Sequence, residues 1–281
     1  MADYKKYGFL AQKQDDKLVL RLRSLAGNLT SEQLRQIADI ADEYGQGYIH
    51  LTTRQGAEIP WINSADFDAV NGQVQDRGLL AGASGGRIRT IIACPGAEVC
   101  KSGIMNSRAT AVEIDKSFFG REVPIKVKIA VSGCPNSCAK PQENDIGLVG
   151  VVEPVIDADM CISCGICEEA CPVNAIEIVD DVPVIDQSKC IKDGKCMTAC
   201  PQEAIKAGRK GYNLYTGGKI GRRPHLGQVV ASYIPEDQVI ESVEKVLAAF
   251  LVLRQDGERI GDTIERIGLE VFVNSIETRE R

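Results

Sequence analysis

The sequence predicts an α+β fold, and three observations support this. Strand-like and helix-like segments follow one another over residues 1–80 in the order strand, helix, strand, strand, helix. All eleven cysteines fall into three close-set groups. The spacing of the middle group is repeated 29 positions later, from Cys161 to Cys190. We therefore expect two α+β units and a compact insertion organised around bound metal.

Composition narrows the class of protein. The chain has 281 residues, of which 44% are hydrophobic and 26% charged, so it is long enough to bury a core. Its net charge of −6 argues against a general nucleic-acid partner. Its charged beginning predicts no signal peptide, and no apolar run is long enough to span a membrane. Cysteine-rich chains without a secretory signal usually bind metal, which indicates a reducing cytoplasm.

The first unit has clear local signals. Alternating apolar residues predict a strand at 17–23, and two further strands at 48–52 and 57–62. Thr30 to Gln33 resembles a capping box, which predicts that a helix begins there. Its predicted apolar stripe consists of Leu34, Ile37, Ile40 and Ala41. A second helix is expected over residues 66–74.

The second unit begins after a connector of small residues at 81–86, which we take as a domain boundary. Helices are predicted at 107–117, 235–254 and 262–276, and a strand at 145–152. Two further strands, over residues 87–94 and 125–133, each lead into a cysteine pair.

These two cysteine pairs are held in short loops rich in proline and glycine. They are Cys94, Cys100, Cys134 and Cys138. Four thiolates can wrap one metal ion or one iron–sulfur cubane, and the spacing alone leaves zinc open. Alternation places Lys126 and Lys128 on one face just ahead of the second pair, and Arg87 and Arg89 on one face ahead of the first. Such cations indicate a bound anion.

The repeat in the middle of the chain has the C-x2-C-x2-C-x3-C-P spacing of bacterial ferredoxins. In such proteins the fourth cysteine of each copy binds the other cluster. One cubane is then expected on Cys161, Cys164, Cys167 and Cys200, and the other site on Cys171, Cys190, Asp193 and Cys196. Asp193 replaces a cysteine, so it either completes a [4Fe-4S] cluster or leaves a [3Fe-4S] cluster. A zinc knuckle is the alternative.

Near the end, residues 211–225 read as a strand followed by a glycine-rich basic loop. The loop carries Lys219, Arg222 and Arg223. Glycines allow a backbone to approach a ligand closely, and the cations favour an anionic one. A basic hairpin turn is the alternative interpretation.

The two cysteine pairs, with Lys126-Val127-Lys128 before the second, resemble the sirohaem and [4Fe-4S] signature of the sulfite and nitrite reductases. The likeness is greatest to small anaerobic or dissimilatory-type sulfite reductase subunits. It implies a ferredoxin-like half-domain over residues 1–80 and a sirohaem and [4Fe-4S] domain of the α/β sandwich type over 81–153 and 208–281. A dicluster ferredoxin domain would be inserted at 154–207.

The resemblance also implies roles for the cations. Arg54 matches the arginine of the reductases' Thr-x-Arg-Gln motif, which contacts sirohaem and the oxyanion, although on its own it reads as a solvated turn arginine. The implied catalytic residues are Arg54, Arg89, Lys126 and Lys128. Cys138 would bridge the cluster to the sirohaem iron. The implied further contacts to the cofactor are Arg87, Lys219, Arg222 and Arg223.

The function implied is an anaerobic six-electron reduction of sulfite to sulfide, with electrons from a donor protein passing through the ferredoxin-type clusters. Reduction of nitrite to ammonia is one alternative. An iron–sulfur electron carrier without working sirohaem is the other. Full-length reductases of this family contain two tandem copies of the unit and combine the cations of one with the cysteines of the other. Because this chain has a single copy, we expect a homodimer or higher homo-oligomer.

Overall fold

A computed structural model describes residues 4–277, which form three sheets with separate buried cores. No helix in that range is both long and apolar enough to cross a membrane. The mixed α+β class predicted from the sequence is confirmed.

The first unit is a four-stranded antiparallel sheet in the order β1-β2-β4-β3, with two helices packed on it. Its strands are Phe9–Ala11, Lys17–Leu22, His50–Leu51 and Ala57–Asn63 (β1 to β4). Its helices are Ser31–Tyr44 (α1) and Phe67–Asp76 (α2). Alternate residues of β2 are buried, as its sequence pattern requires.

The predicted capping box is present at the start of α1. Thr30 Oγ1 accepts a hydrogen bond from Gln33 N at 3.1 Å, and Gln33 Oε1 accepts one from Thr30 N at 2.9 Å. The predicted stripe is right for Ile37, Ile40 and Ala41 but wrong for Leu34, whose side chain is 47% exposed. Leu34 lies in the first turn of α1.

The second unit is a five-stranded sheet in the order β11-β10-β7-β6-β5. Strands β5, β6 and β7 are parallel, and β10 and β11 are antiparallel to their neighbours. The strands are Ile92–Ala93, Ile129–Ser132, Ile146–Ile156, Ile205–Thr216 and Gln228–Ile234 (β5, β6, β7, β10 and β11). The helices of this unit are Ser107–Phe118, Val239–Leu253, Ile260–Ile267 and Leu269–Glu277 (α3, α6, α7 and α8).

Two predictions for this unit need correction. The strand expected at 87–94 is regular only at β5, since before it the chain makes two isolated bridges, from Arg87 to Glu122 and from Ile88 to Val127. The single helix expected at 262–276 is two helices, because Gly268 adopts φ +87° between them. Glycine tolerates that left-handed backbone, and the break lets α8 pack against α6.

The insertion grows out of the end of a long hairpin. Ile156 of β7 pairs with Ile205 of β10, so the chain leaves and re-enters the sheet at adjacent positions. Between them lie Ile166–Glu169 (α4), Ile176–Val179 (β8), Val182–Ile185 (β9) and Lys195–Ala199 (α5). Strands β8 and β9 form a small hairpin. Buried Cys167 and Cys196 lie in the core of this segment.

Candidate active site

A cavity of about 330 Å³ lies where the first unit meets β5 and β6. It is lined by residues of both units, and all four predicted catalytic cations contribute to it. The cationic lining residues are Arg21, Arg54, Arg89, Lys126 and Lys128. Sequence reasoning missed Arg21, whose place on the polar face of β2 gave no sign of a ligand. Its Nε lies 2.5 Å from Glu58 Oε1.

Arg54 joins the two units and is not a solvated turn residue. Its Nε and Nη2 donate to Thr90 O at 3.2 and 2.5 Å, and Nη2 also donates to Ile129 O at 3.1 Å. Its Nη1 donates to Asn144 Oδ1 at 2.9 Å. Burial lowers the pKa of Arg54 to about 10. These bonds engage most of its donors, so its charge reaches the cavity more readily than its N–H groups do.

Arg89 still offers a donor. Its Nη1 and Nη2 donate to the carbonyl oxygens of Ala83 and Gly85, each at 3.0 Å. Its Nε is buried without a hydrogen-bond partner among the described residues. Burial, followed by repulsion from Arg21, lowers the pKa of Arg89. An unpaired buried N–H beside a cavity is costly unless a ligand accepts from it.

Lys126 and Lys128 provide the free amino groups of the cavity. Within residues 4–277 neither amine has a hydrogen bond or an ion pair. Burial lowers the pKa of Lys128, and the charges of Arg54, Arg259 and Lys126 lower it further. Lowering brings a lysine closer to the range in which it can release a proton. Two free ammonium groups and an orphaned guanidinium N–H suit a small oxyanion.

A buried ion pair supports this wall of the cavity. Asp145 accepts from Arg259 Nε at 2.9 Å and Nη2 at 2.6 Å, and its carboxylate also accepts from Lys128 N at 2.8 Å. The Asp145 and Arg259 side chains are only 1% and 11% exposed. The pair fixes the backbone of Lys128 relative to α7. The two residues are 114 positions apart, and no local pattern predicted their contact.

The four thiols of the first cysteine group lie beyond the other end of the same strands. Cys94 follows β5 directly and Cys134 follows β6 after one glycine. Gly133 N donates to Cys94 Sγ at 3.1 Å, and Ser107 Oγ lies 3.3 Å from the same sulfur. Burial raises the pKa of Cys134, and the neighbouring thiols raise it further. Cys100 and Cys138 are both exposed, whereas Cys134 is buried.

Strand β6 separates the two features. Lys128 precedes this strand and Cys134 follows it, and the two residues are six positions apart. At 3.3 Å per residue this corresponds to roughly 20 Å. The basic cavity of a protomer is therefore remote from its own cysteine loops. The chain nevertheless contains all the cations expected of the cavity and all four cysteines expected of the loops.

Gln55 is a functional candidate that sequence reasoning missed. Its Nε2 donates to Ala93 O at 2.6 Å, and its Oε1 accepts from Ala93 N at 2.9 Å. The side-chain amide thus pairs with the edge of β5 as a neighbouring strand would. Because Ala93 directly precedes Cys94, Gln55 positions the first thiol loop from the other unit.

The insertion brings its cysteines together in the crossed sets that the repeat predicts. One cavity is lined by Cys161, Cys164, Cys167 and Cys200. A second is lined by Cys171, Cys190, Asp193 and Cys196. Among the described residues, no three histidine, cysteine or carboxylate side chains are grouped closely enough to hold one ion. The thiols of each set thus surround a cavity and are too far apart to bind a single ion.

Backbone donors and charge fit an iron–sulfur ligand set. Ala175 N donates to Cys171 Sγ at 3.2 Å, and Ala204 N donates to Cys200 Sγ at 3.3 Å, which are equivalent bonds in the two repeats. Such donors stabilise thiolates that bind iron. Burial, Cys190 and Asp193 raise the pKa of Cys196 to about 11, which a bound metal would offset.

The remaining predicted cofactor contacts lie elsewhere. Lys219 is 8% exposed and its amine pairs with Asp262, so its charge is used within the protein. Arg222 and Arg223 are exposed. Arg223 lines a separate cavity of about 540 Å³. Arg87 Nη2 lies 3.1 Å from Glu122 Oε1, away from the basic cavity.

Comparison with known proteins adds an independent observation. The profile of the nitrite and sulphite reductase 4Fe-4S domain matches residues 84–281, and that of the nitrite/sulfite reductase ferredoxin-like half domain matches residues 10–76. The chain is 37% identical over 273 residues to the coenzyme F420-dependent sulfite reductase of Methanocaldococcus jannaschii. That match covers 96% of this chain but 44% of the relative.

Two further matches are similar in kind. One subunit of the anaerobic sulfite reductase of Salmonella typhimurium is 33% identical over 174 residues, which cover 56% of this chain and 50% of the relative. The crystal structure of dissimilatory sulfite reductase I superposes with a TM-score of 0.76 at 19% identity, covering 94% of this chain and 70% of that one. This structural likeness concerns the fold alone.

Proposed function

This chain belongs to the nitrite and sulfite reductase family, and on that premise we propose that it reduces sulfite to sulfide with six electrons. The observation that carries the proposal is the cavity in which Lys126, Lys128 and the Arg89 Nε lack partners within residues 4–277. Sulfite is preferred because the relatives compared above carry that name. Nitrite is the second candidate, since the family description includes it.

The donor set fits sirohaem coupled to a [4Fe-4S] cluster. The residues that would hold the cluster are Cys94, Cys100, Cys134 and Cys138. Cys138 is our candidate for the thiolate shared with the sirohaem iron, because it holds the matching position of the family motif; its exposure is compatible with this role. When bound, this pair of cofactors supplies electrons and an open iron position for the anion. Exposed Arg222 and Arg223 remain available for the carboxylates of sirohaem. Lys219 and Arg87 are already ion-paired within the protein.

The chain's own cations bind and protonate the anion. Lys126 and Lys128 donate through ammonium groups, and Arg89 donates through its free Nε. Removing oxygen from sulfite consumes protons, and the lowered pKa of Lys128 suits it to deliver them. Arg54 adds charge while holding Thr90 and Ile129 in place. Arg54, Arg89 and the backbone of Lys128 are held by hydrogen bonds before the substrate arrives, so little reorganisation of these groups is needed.

The separation along β6 supports the proposal that the site is completed between protomers. We infer an isologous dimer in which Lys126, Lys128 and Arg89 of one protomer face the cofactor held by Cys138 of its mate. Roughly 20 Å between Lys128 and Cys134 within one protomer prevents both features from contacting the same small anion in cis.

Mixed dimers test this arrangement. A Lys128→Gln protein and a Cys138→Ser protein should each be inactive. Dimers formed by unfolding and refolding the two together should recover about one quarter of wild-type activity per protomer, since half the dimers are mixed and each has one intact site. Each variant refolded alone is the control. No recovery, despite mixed dimers detected by mass spectrometry, would contradict completion in trans.

Spectroscopy and turnover test the function itself. Anaerobically purified protein, reconstituted with sirohaem, should show its visible absorption and should reduce sulfite faster than nitrite with a chemical reductant. Faster nitrite turnover would reverse the substrate preference. A protein that takes up iron but no sirohaem would instead be an iron–sulfur electron carrier, the other alternative named in the sequence analysis.

The insertion is proposed to carry two ferredoxin-type clusters over residues 154–207, between the two parts of the sirohaem and [4Fe-4S] domain at 81–153 and 208–281. Asp193 lines the second thiol cavity, so it is placed to complete a [4Fe-4S] cluster. Asp193→Ser should then convert that cluster to [3Fe-4S], seen as a new paramagnetic resonance signal in oxidised protein and the loss of one iron. Wild-type protein that already shows the three-iron signal would favour the vacant corner.

A further inference from the structure

The insertion has two repeats, and the equivalent surfaces of these two halves have different neighbours. In the second half this surface faces the loop of Cys134, and in the first half it faces solvent. A cavity of about 340 Å³ lies between the second half and the loop of Cys134. The second-half residues that line it are Asp193, Gly194, Lys195, Met197 and Thr198. Val152 N donates to Lys192 O at 3.0 Å, and a Cβ on Gly194 would lie 2.8 Å from Val152 Cγ1. The second half of the insertion is therefore packed against the second unit, at β7 and the Cys134 loop.

The corresponding surface of the first half is open. Ile162 is 59% exposed and Ile166, which stands where Lys195 stands in the repeat, is 39% exposed. Met160 beside them is 41% exposed. Ile162 also lines the first thiol cavity, and Cys164 there is exposed, so Ile162 connects the apolar group to that site. Exposed apolar residues grouped over a redox site indicate a binding surface.

The charges around the two surfaces are opposite in sign. Three carboxylates of the first half, Asp159, Glu168 and Glu169, are exposed, and none has a hydrogen bond or an ion pair from its side chain within residues 4–277. Their repeat equivalents are uncharged, and the second half instead carries lysines. These are Lys189, Lys192 and Lys195. The acidic rim thus belongs to the open surface alone.

We propose that this acidic-apolar face, formed by Met160, Ile162 and Ile166 with the rim of Asp159, Glu168 and Glu169, docks a protein electron carrier. The carrier would have lysine or arginine residues around its redox group, since opposite charges steer such encounters. The proposal rests on the proposed function in that the thiol cavities hold clusters.

The proposal also orders the path of the electrons. Each transfer oxidises the carrier by one electron and reduces one cluster by one electron, without making or breaking a bond. The site of Cys161, Cys164, Cys167 and Cys200 lies under the docking face and receives the electron. The site containing Asp193 borders the Cys134 loop and passes it on.

Cytochrome c, a small haem protein with many surface lysines, is a suitable probe. Protein reduced with dithionite and then freed of it is mixed with ferric cytochrome c, so that a cluster loses one electron and the haem iron gains it. The triple variant Asp159→Asn/Glu168→Gln/Glu169→Gln should lower the second-order rate about tenfold at low ionic strength. Added salt should reduce the wild-type rate more than that of the variant.

The matched control is Asp42→Asn/Asp68→Asn/Asp76→Asn, which changes the net charge equally on exposed helix positions of the first unit. Its rate should stay within about twofold of wild type. Equal rates for the two variants, with unchanged iron content and visible spectra, would overturn the docking face alone. Absence of iron from the insertion would overturn the proposal together with its premise. Neither the rate of cytochrome c reduction nor the iron content depends on sulfite turnover.

Discussion

At the scale of single residues, the cavity separates two kinds of cation. Arg54 directs its hydrogen bonds to Thr90, Ile129 and Asn144 and so acts mainly as a support. The side-chain amines of Lys126 and Lys128 make no hydrogen bonds within the described chain and are free for a ligand. Residue type alone does not distinguish these roles, because all three are positively charged side chains in the same cavity.

Neutralising Lys128 should weaken anion binding strongly. Lys128→Gln removes a partly buried positive charge and a charge-assisted hydrogen bond, each of which contributes more in a cavity than in water. We expect roughly 10- to 100-fold weaker binding of sulfite, measured by calorimetry on oxidised protein. Lys13→Gln, at an exposed position, is the control. Equal affinity for the two variants would remove Lys128 from the site.

The lowered pKa of Lys128 predicts a pH dependence. The amine binds an anion only when protonated, and its pKa in the folded protein lies below the ordinary 10.5. Affinity should therefore decline as pH rises through that lowered pKa, earlier than for a lysine in water. Sulfate, whose charge is constant between about pH 7 and 10, is the appropriate ligand. Lys128→Arg retains its charge there, so its affinity should stay level across the same range.

At the scale of elements, the turn between β3 and β4 holds the two units together. Arg54 and Gln55 reach across it to the strands that lead to the cysteine loops. Both side chains act on backbone groups of β5 or of residues beside it. The turn thus links the basic cavity to the thiol loops at the other end of the same strands.

Removing the Gln55 amide should loosen the Cys94 loop. Gln55→Ala loses two hydrogen bonds and leaves the N–H and C=O of Ala93 unpaired, which should cost about 1–3 kcal/mol in the free energy of unfolding. Urea denaturation measures this, with exposed Gln187→Ala as the control. We also expect faster loss of iron from the first cysteine group than from the insertion. Equal loss from both would argue against a positioning role.

The sequence predicted the elements with local signals and missed contacts between distant ones. Thr30 and Gln33 lie three residues apart and predict the start of α1. The cysteine spacing likewise predicted, from the sequence alone, which thiols line each cavity of the insertion. No local signal predicted the contacts that Gln55 and Arg259 make. Their roles depend on Ala93 and Asp145, far along the chain, and a single sequence carries no record of such pairs.

At the scale of the whole molecule, a buried ion pair joins the five-stranded sheet to the C-terminal helices. Asp145 precedes β7 and Arg259 precedes α7, and their contact also fixes the backbone of Lys128. Arg259 N donates to Asp262 at 3.1 Å, and Asp262 pairs with Lys219. The glycine-rich loop and the basic cavity therefore share one chain of polar contacts.

Breaking this pair on one side should destabilise the protein. Asp145→Asn leaves the Arg259 charge buried without its counter-charge, and we expect a loss of about 3–5 kcal/mol in the free energy of unfolding. The double variant Asp145→Leu/Arg259→Met removes both charges and should recover much of that loss. Denaturant titration of the two compares them directly. A double variant less stable than the single one would show that the hydrogen bonds outweigh the cost of burying the charges.

The hairpin from which the insertion grows has a consequence for how such proteins are assembled. Ile156 and Ile205 pair directly, so the segment between them enters and leaves through neighbouring backbone positions. A tight turn could replace the whole segment without shifting β7 or β10 in the sheet. The segment that we propose to deliver electrons is thus exchangeable, and recombination at this hairpin could connect the proposed reducing centre to carriers of different kinds.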